Sequence, residues 1–433
     1  MSRRLVALAA FLLAAHAAAA QTPADSLAAD SASVPVVVEQ AAEAATAVAD
    51  EIEGLKIRPI LNTGALYSGS RGFGIGGGVA VSNLALRGDH SQVEARVTQH
   101  LQGIFGSYQT GTPERSPLYA LVGASFVTSP HFPFVGRSPQ SDPNGQLYLD
   151  RTEAEVEGRI AWQPAGVGGP LVQPFVRYRT DRLRGSSVRT QATADLVTAA
   201  DRAAIDALTG QTRTGVYVGL GLQNDARDNE ARPTRGTYAQ VSASRFFSTD
   251  GSGLQFTHGE ALGYAFRPAP FLLPFQTERG SVFVRVSGTV TRPNSSDALP
   301  IFYLPVLNRD LFVGWPEKSF TGRDALSVGV GARSVLVPHL SAFRVEGLLV
   351  GMLGAAYDDV FSQFSPRVSR VSAPVAAGAN VPLRPSLGIG VNLHYRDKER
   401  PLVGGLIGIG PGGITTTEFR LVIGLDRYLP SLR

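Results

Sequence analysis

Apolar and polar residues alternate with a period of two along most of the chain after residue 54. The clearest stretch is 281–290, where one side carries Val282, Val284, Val286 and Val290 and the other carries serine, arginine and threonine. The same alternation covers residues 93–100, 154–160, 216–223, 236–246, 326–336, 343–353, 387–395 and 419–425. Strict alternation predicts β-strands with one apolar and one polar face, so the chain is expected to be all-β.

The alternating stretches and the turn residues between them define fifteen strands. They are predicted near residues 58–67, 73–85, 91–105, 117–128, 148–162, 171–183, 213–224, 236–248, 253–266, 280–291, 325–337, 342–354, 384–396, 401–410 and 416–427. Bacterial membrane barrels normally have an even number of strands, so one further strand is expected. His131–Arg137 is the best candidate for it, which gives sixteen strands.

The length of the strands favours a membrane. Strands of soluble sheets typically have about 5–6 residues, whereas a tilted strand that spans a bilayer needs about 9–11. An open sheet edge in hydrocarbon would leave N–H and C=O groups unpaired, so such a sheet must close. The sequence therefore predicts a transmembrane antiparallel β-barrel with its apolar faces toward lipid. A secreted sandwich or jelly roll is the alternative.

The connections between the predicted strands differ in length. Those at 184–212, 292–324 and 355–383 are long and fall at alternate positions in the series, while the intervening connections are shorter. Outer-membrane barrels have long extracellular loops and short periplasmic turns. The long connections are therefore expected on the extracellular side.

The first residues predict export from the cytoplasm. Two arginines precede an apolar run at 5–15, and small residues end at a cleavage site between Ala20 and Gln21, which is the layout of a signal peptide over residues 1–20. Residues 21–53 are Ala-rich and acidic without any Lys or Arg, which is typical of a disordered periplasmic leader. Residues 54–433 are left for a barrel in the bacterial outer membrane.

Composition narrows the possible functions. The chain has no Cys, which excludes disulfides, Cys-based zinc sites and thiol catalysis. A formal net charge of +4 is too small to indicate nucleic-acid binding. Glycine-rich stretches at 72–77 and 408–413 match a dinucleotide fingerprint but lie outside any βαβ unit, so no cofactor is expected.

Candidate chemistry is sparse as well. The sequence has no Gly-x-Ser-x-Gly elbow, and its seven histidines are dispersed. We therefore expect no catalytic residue, no metal site and no enzyme activity, although His100, His258 and scattered serines leave a lipid-hydrolysing barrel open.

Charges of both signs fall on the polar faces and are expected in the lumen, where they can brace an inserted loop or line a wet channel. They are Glu94, Arg96, Glu153, Glu155, Glu157, Arg159, Arg177, Arg179, Arg285, Arg333, Arg344, Glu346, Glu418 and Arg420. His258 and Glu260 instead fall on the apolar side of their strand, which indicates a bulge or an error of register.

Residues 225–236 carry strong turn chemistry. The motif consists of Asp225, Arg227, Asp228, Asn229, Pro233, Thr234 and Gly236. This string resembles the signature turn of the bacterial surface antigen family, the outer-membrane barrel domain of BamA- and TamA-like proteins. The resemblance covers about residues 55–433 and implies that this turn is periplasmic.

A second segment resembles the Arg-Gly-aromatic motif that this family carries in a loop folded into the lumen. Gly314 and Trp315 match the motif, while Val313 stands at the position of the arginine. The resemblance implies an arginine paired with an acidic residue of the next strand pair. Candidates here are Arg309 or Arg323 for the arginine, and Asp358 or Asp359 for the acid.

The resemblance also implies a function in assembly, insertion or translocation of proteins at the outer membrane. A weak seam between the strands near 58–67 and 416–427 would open to pair with a client strand, and Pro59 and Gly64 make the first strand a poor partner. Family members carry periplasmic POTRA domains, but none fits in residues 21–53, and whether a periplasmic partner replaces them stays open.

The expected partners are outer-membrane lipid and client proteins, with the chain itself a monomer. The alternatives are a passive or loop-plugged pore for small solutes and a barrel that acts on lipids. The final residues, 428–433, also depart from the terminal aromatic residue that is usual in such barrels.

Overall fold

A computed structural model describes residues 56–60, 66–68, 72–84, 86, 88–98, 100–112, 116–137, 142, 145–188, 190–229, 232–269, 280–294, 299–307, 312–315, 320–340, 343–370, 374–395, 403–410 and 413–421. The predicted signal peptide with its Ala20–Gln21 cleavage site, the leader, Gly64, Arg309 and residues 428–433 lie outside the described residues. Of Glu418 and Arg420 only the backbone is described.

Strands dominate the described residues. They are β1 (Lys56–Ile60), β2 (Leu66–Ser68), β3 (Gly72–Ser82), β4 (His90–Thr98), β5 (Gln102–Gln109), β6 (Leu118–Phe134), β7 (Leu147–Trp162), β8 (Leu171–Ser187), β9 (Thr212–Asp225), β10 (Gly236–Ser248), β11 (Gln255–Pro268), β12 (Ser281–Pro293), β13 (Asp324–Leu340), β14 (Phe343–Tyr357), β15 (Phe364–Val368), β16 (Val381–Tyr395), β17 (Val403–Gly410) and β18 (Gly413–Leu421). The helical segments are α1 (Gln191–Ala194), α2 (Ala199–Leu208), a 3₁₀ turn (Ile301–Tyr303) and α3 (Val360–Gln363). No helix among the described residues is long and apolar enough to cross a membrane.

The strands form one antiparallel sheet in which neighbours in sequence are neighbours in space. Two exceptions occur: β1 and β2 both pair with β3, and β14 pairs directly with β16. β15 adds a short parallel pairing to the start of β16. The last strand, β18, pairs with β2. This is the up-and-down meander expected of a transmembrane barrel.

The extra strand predicted at His131–Arg137 is wrong, because residues up to 134 continue β6. The strand that the prediction missed is β5, which was merged with β4 as a single strand over 91–105. Between them the chain turns at Thr98, whose hydroxyl accepts hydrogen bonds from the amides of His100 and Leu101. The total of sixteen stays a prediction, since residues 61–65 between β1 and β2 are not described.

Burial across the sheet is the reverse of that in a soluble protein. On β7, Val156 and Ile160 are 51% and 52% exposed, while Glu157 between them is 9% exposed. On β13, Val330 is 61% exposed, whereas the inward Ser327 is buried. Large apolar side chains cover the outside and charged ones lie within, which is the arrangement of a wall that faces lipid.

One strand departs from the predicted orientation. On β11 the large apolar residues, among them Phe256 and Tyr264, face the lumen together with His258 and Glu260, and the outer face has small residues from 257 to 265. The register of β11 with both neighbours is continuous, so β11 has no bulge. The expected outward orientation of this apolar face is wrong, because a loop inside the lumen buries it.

The long connections lie at one end of the sheet, here called the long-loop end. They are residues 188–211, 294–323 and 358–380, which confirms the predicted alternation of long and short connections. The opposite, short-turn end holds the start of β1 and the connection 226–235.

Candidate functional site

The connection between β12 and β13 folds into the lumen and is here called the lumen loop. Its first part, residues 299–307, packs on the inner wall formed by β6 to β11. Ile301 joins Phe134 and Leu183 in one apolar cluster. The ring of Tyr303 lies 4.9 Å from that of Phe246 and 5.5 Å from that of Phe256. These contacts cover the aromatic face of the wall, which explains the inward orientation of β11.

The second part of the lumen loop packs on the wall around β12 to β17. The indole Nε1 of Trp315 donates a hydrogen bond of 2.9 Å to the carbonyl of Pro385, and the side chain is 2% exposed. The hydroxyl of Ser386 donates to the carbonyl of Val313. A Cβ atom on Gly408 would lie 2.7 Å from the Cα of Gly314, so the loop backbone lies directly on β17. The loop therefore contacts both walls of the lumen.

The predicted lumen-loop residues have definite places. Gly314 has a φ of +90°, which favours glycine, and Trp315 is buried beside it. Of the two candidate acids, Asp359 forms an ion pair of 3.0 Å with Arg292, a residue that the sequence analysis did not consider. The backbone carbonyl of Arg323 accepts a hydrogen bond from Thr291. The structure thus gives Asp359 a different arginine from those predicted.

A ladder of ion pairs lies on the inner face of β7 and β8. The pairs join Arg151 to Asp181 and Glu153, Arg159 to Glu157, Arg177 to Glu155 and Glu157, and Arg179 to Glu153 and Asp181. The ladder meets the lumen loop where Arg179 donates 3.4 Å to the carbonyl of Phe302. The charges of the four acids and four arginines cancel, so this wall is polar but has no large net charge.

The turn motif at the short-turn end is held by its own side chains. Asp228 accepts from the hydroxyl and amide of Thr234 and, at 3.2 Å, from the amide of Arg235. Gly236 has a φ of +100°, and a Cβ there would collide with the backbone of the turn. Burial by itself raises the pKa of Asp228. The hydrogen bonds lower the pKa by more than burial raises it, so the pKa lies below the ordinary value.

The same turn reaches across the lumen through a residue that the sequence analysis missed. Arg232 is buried and forms an ion pair with Glu346 on β14, four strands from β10. Glu346 is 1% exposed and also contacts Arg344 at 3.3 Å and His394 at 3.2 Å. Arg333 donates 2.6 Å to the carbonyl of Pro233. These contacts fasten the turn to the inner face of β13 and β14.

The last described strand, β18, pairs with β2 near the start of the sheet. Among the described residues, β18 and β2 pair at three positions, namely Glu418 with Ser68, Phe419 with Tyr67 and Arg420 with Leu66. By contrast, β10 and β11 pair without interruption from residue 236 to 247 on β10. Here the pairing of β18 with β2 is called the seam.

One group of polar side chains in the lumen resembles a hydrolase arrangement. His258 contacts Thr291 at 2.9 Å and Glu260 at 3.1 Å, an order of groups found in hydrolases. The Thr291 side chain is fully buried, however, and a nucleophile must be reachable by its substrate. The described residues contain no group of three or more side chains suited to bind a metal ion.

The fold is similar to those of solved structures. BamA from Haemophilus ducreyi lacking POTRA domains 1–3 superposes with a TM-score of 0.57 at 11% sequence identity, covering 88% of this chain and 78% of that one. The chain has the fold of a BamA-type barrel. CdiB from Acinetobacter baumannii matches at a TM-score of 0.46 and 10% identity, and the alignment covers 84% of this chain and 59% of CdiB.

The sequence itself gives no comparable match. No family model matches this sequence. No curated protein matches it either. The likeness to BamA therefore concerns the BamA-type fold and the arrangement of the strands.

Proposed function

We propose that this chain is an outer-membrane barrel that inserts or translocates client proteins by opening its seam. The observation that carries the proposal is the three-residue pairing of β18 with β2 among the described residues. A seam that opens at these positions would expose backbone N–H and C=O groups that can bind another strand. A client strand could then add to the freed edge while the rest of the wall stays intact.

The surroundings of the seam support this proposal. β3, the partner of both β1 and β2, carries glycine at 72, 74 and 76–78, and β17 carries glycine at 404, 405, 408 and 410. Glycine weakens a strand because it loses more backbone entropy on ordering and contributes no side-chain packing. The strands beside the seam are thus weakened by glycine where the proposal requires the wall to open. Outer-membrane lipid, client proteins and a periplasmic partner are the partners we propose, with the chain as a monomer.

A reversible cross-link of the seam tests the proposal. Ser68→Cys with Glu418→Cys places two thiols at paired positions in a chain without other cysteines, and Leu222→Cys with Val241→Cys is a matched pair in the β9–β10 pairing. In vesicles, we expect the protein to accelerate the folding of a second barrel protein. Oxidation should abolish this in the seam variant, reductant should restore it, and the control pair should be insensitive.

Full activity of the oxidised seam variant would contradict the mechanism. Activity lost in both oxidised variants would point to a general effect of cross-linking, and the proposal would then also lose its support.

A second candidate function is a loop-plugged pore for small solutes. The ion-pair ladder favours it, because Glu153, Glu155 and Arg177 keep 24–30% of their side-chain surface exposed on the lumen side. Single-channel recordings separate the two functions. Large and steady conductance supports a pore, whereas small and irregular openings agree with a plugged insertion barrel. We propose no catalytic activity for either.

A further inference from the structure

The connection between β14 and β16 is here called the outer flap (residues 358–370 and 374–380), and its first turn lies on the outside of the wall. Its position follows from two outward-facing residues. Arg292 lies on the same face of β12 as the exposed Val284 and Val286, because an even number of residues separates them. For the same reason Asp324 lies on the same face of β13 as the exposed Val328. No register shift separates them, so both side chains point away from the lumen.

The outer flap is fastened to these two residues. Arg292 Nη2 contacts Asp324 Oδ2 at 2.9 Å and Asp359 Oδ1 at 3.0 Å. Asp324, which is fully buried, also accepts a 2.8 Å hydrogen bond from the amide of Val360. The first turn of the flap therefore sits directly above the outer surface of β12 and β13.

A small apolar core forms between the outer flap and the wall. Ala355 and Tyr357 on β14 and Val381 on β16 face outward, yet they are at most 2% exposed. Val360 and Val375 of the flap cover them. This burial outside the barrel is exceptional, since lower on the same wall Leu387 and Ile389 of β16 are 41% and 49% exposed.

The surface of the flap that faces away from the wall carries exposed apolar side chains. Phe361 is 83% exposed, Phe364 is 44% exposed and Val368 is 53% exposed. Phe361 is held in this position, because Asp359 accepts a hydrogen bond from its amide and the Arg292 guanidinium lies 5.6 Å from its ring. Two exposed arginines, at 367 and 370, flank the apolar residues.

The flap lies beyond the exposed apolar band of the wall, at the long-loop end. Along β16, the last covered outward residue is Leu383 and the exposed ones begin at Leu387, about 13 Å further along the strand at about 3.3 Å per residue. Aromatic side chains and arginines are favoured at a membrane boundary, where the ring contacts acyl chains and the cation contacts phosphate. The exposed apolar residues of the flap lie on the same outer side of the sheet as Leu387 and Ile389.

We infer that the outer flap is a membrane anchor whose Phe361 and Phe364 enter the boundary between lipid headgroups and acyl chains at the long-loop end. The inference goes beyond the proposed function, although it shares with it the placement of the wall in lipid. Its occupant is bilayer lipid, and the arginines of the flap face the phosphate groups.

Site-directed spin labelling tests the inference in the full chain, which has no cysteine of its own. Phe361→Cys and Phe364→Cys carry the label in phosphatidylcholine–phosphatidylglycerol vesicles. Val330→Cys, in the middle of the exposed wall, is the lipid control, and Leu196→Cys, exposed between α1 and α2, is the water control. We expect both flap labels to be several-fold less accessible to a water-soluble nickel complex than the label at 196, and accessible to oxygen.

The controls distinguish the two ways of failing. Suppose that the label at 330 remains in lipid, but the labels at 361 and 364 are as accessible to nickel as the label at 196. This result would overturn the anchor and indicate that the surface binds a protein partner. A label at 330 that is also accessible to nickel would overturn the lipid-facing wall and, with it, the proposed function.

Discussion

The docking of the lumen loop on β17 gives a prediction whose size follows from the structure. In Gly408→Ala, the new Cβ would lie 2.7 Å from the Cα of Gly314 and closer still to its amide nitrogen. Non-bonded carbon atoms normally approach to about 3.5–4.0 Å, so the loop must move on the order of 1 Å. Overpacking of this kind costs about 1–3 kcal/mol. Because each 1.4 kcal/mol is a factor of ten, the undocked population should rise roughly 5- to 150-fold.

Tryptophan fluorescence measures this change directly. The chain has two tryptophans, and Trp315 is 2% exposed while Trp162 is 50% exposed on the outer wall. In a Trp162→Phe background, the emission reports Trp315 alone. Gly408→Ala should shift the emission to longer wavelength and increase quenching by iodide.

The matched control is Gly351→Ala on β14, where a Cβ would have no neighbour within 4 Å. Both variants should keep the shift in electrophoretic mobility on heating that marks a folded barrel. Equal quenching in Gly408→Ala and Gly351→Ala would refute the docking of the loop on β17.

Three further predictions concern the turn and the outer flap. Glu346→Gln should lower the free energy of unfolding by about 3–5 kcal/mol, because it leaves the buried Arg232 without its carboxylate. Chemical unfolding in detergent measures this free energy. The control is Glu260→Gln, where 49% of the side chain is exposed and the free energy should change by at most about 1 kcal/mol. The pKa of Asp228 is lower in the folded chain, so its contribution to stability is present above the unfolded pKa of about 3.9 and is lost as the pH falls through the folded value. Between pH 7 and pH 3, the melting temperature of Asp228→Asn should therefore fall less than that of the parent chain. Asp324→Asn should loosen the flap, so that a spin label at position 361 becomes more mobile.

The alternation of residues predicted nearly all strands, because a wall between lipid and lumen imposes a period of two. It missed the boundary between β4 and β5, because the connection at 99–101 has no Gly, Pro, Asn or Asp. A signal was nevertheless present. The outward apolar residues change from odd positions, as at Val93 and Val97, to even positions, as at Ile104, and such a change of phase requires a turn or a bulge.

The alternation of residues could not predict which face of β11 meets the lumen. Alternation separates two faces but does not say which of them meets lipid. On β11 neither face is clearly polar, since one has Phe256 and Tyr264 beside Glu260 and the other has mainly glycine and alanine. The choice is made by the lumen loop, whose Tyr303 fills the space opposite the aromatic face. Contacts between distant segments of this kind leave no trace in local periodicity.

The same reason applies to the charged contacts of the candidate site. The turn motif itself was visible because its residues are adjacent in sequence. The pairs of Arg232 with Glu346 and of Arg292 with Asp324 join different strands, and every lumen or rim arginine was a possible partner. Only the register of β10 to β14 brings these side chains together.

The lumen loop and the seam are connected through the strands beside the seam. β18 is held on one side by β17 and on the other by the three described positions of β2. β17 and β16 are in turn covered by the loop at Gly408 and Gly388, so the loop supports the part of the wall that carries β18. If docking of the loop stabilises the seam, Gly408→Ala should slow the oxidation of the cysteine pair at positions 68 and 418, because the two strands spend less time in register. An oxidation rate equal to that of the parent pair would show that the loop and the seam act independently.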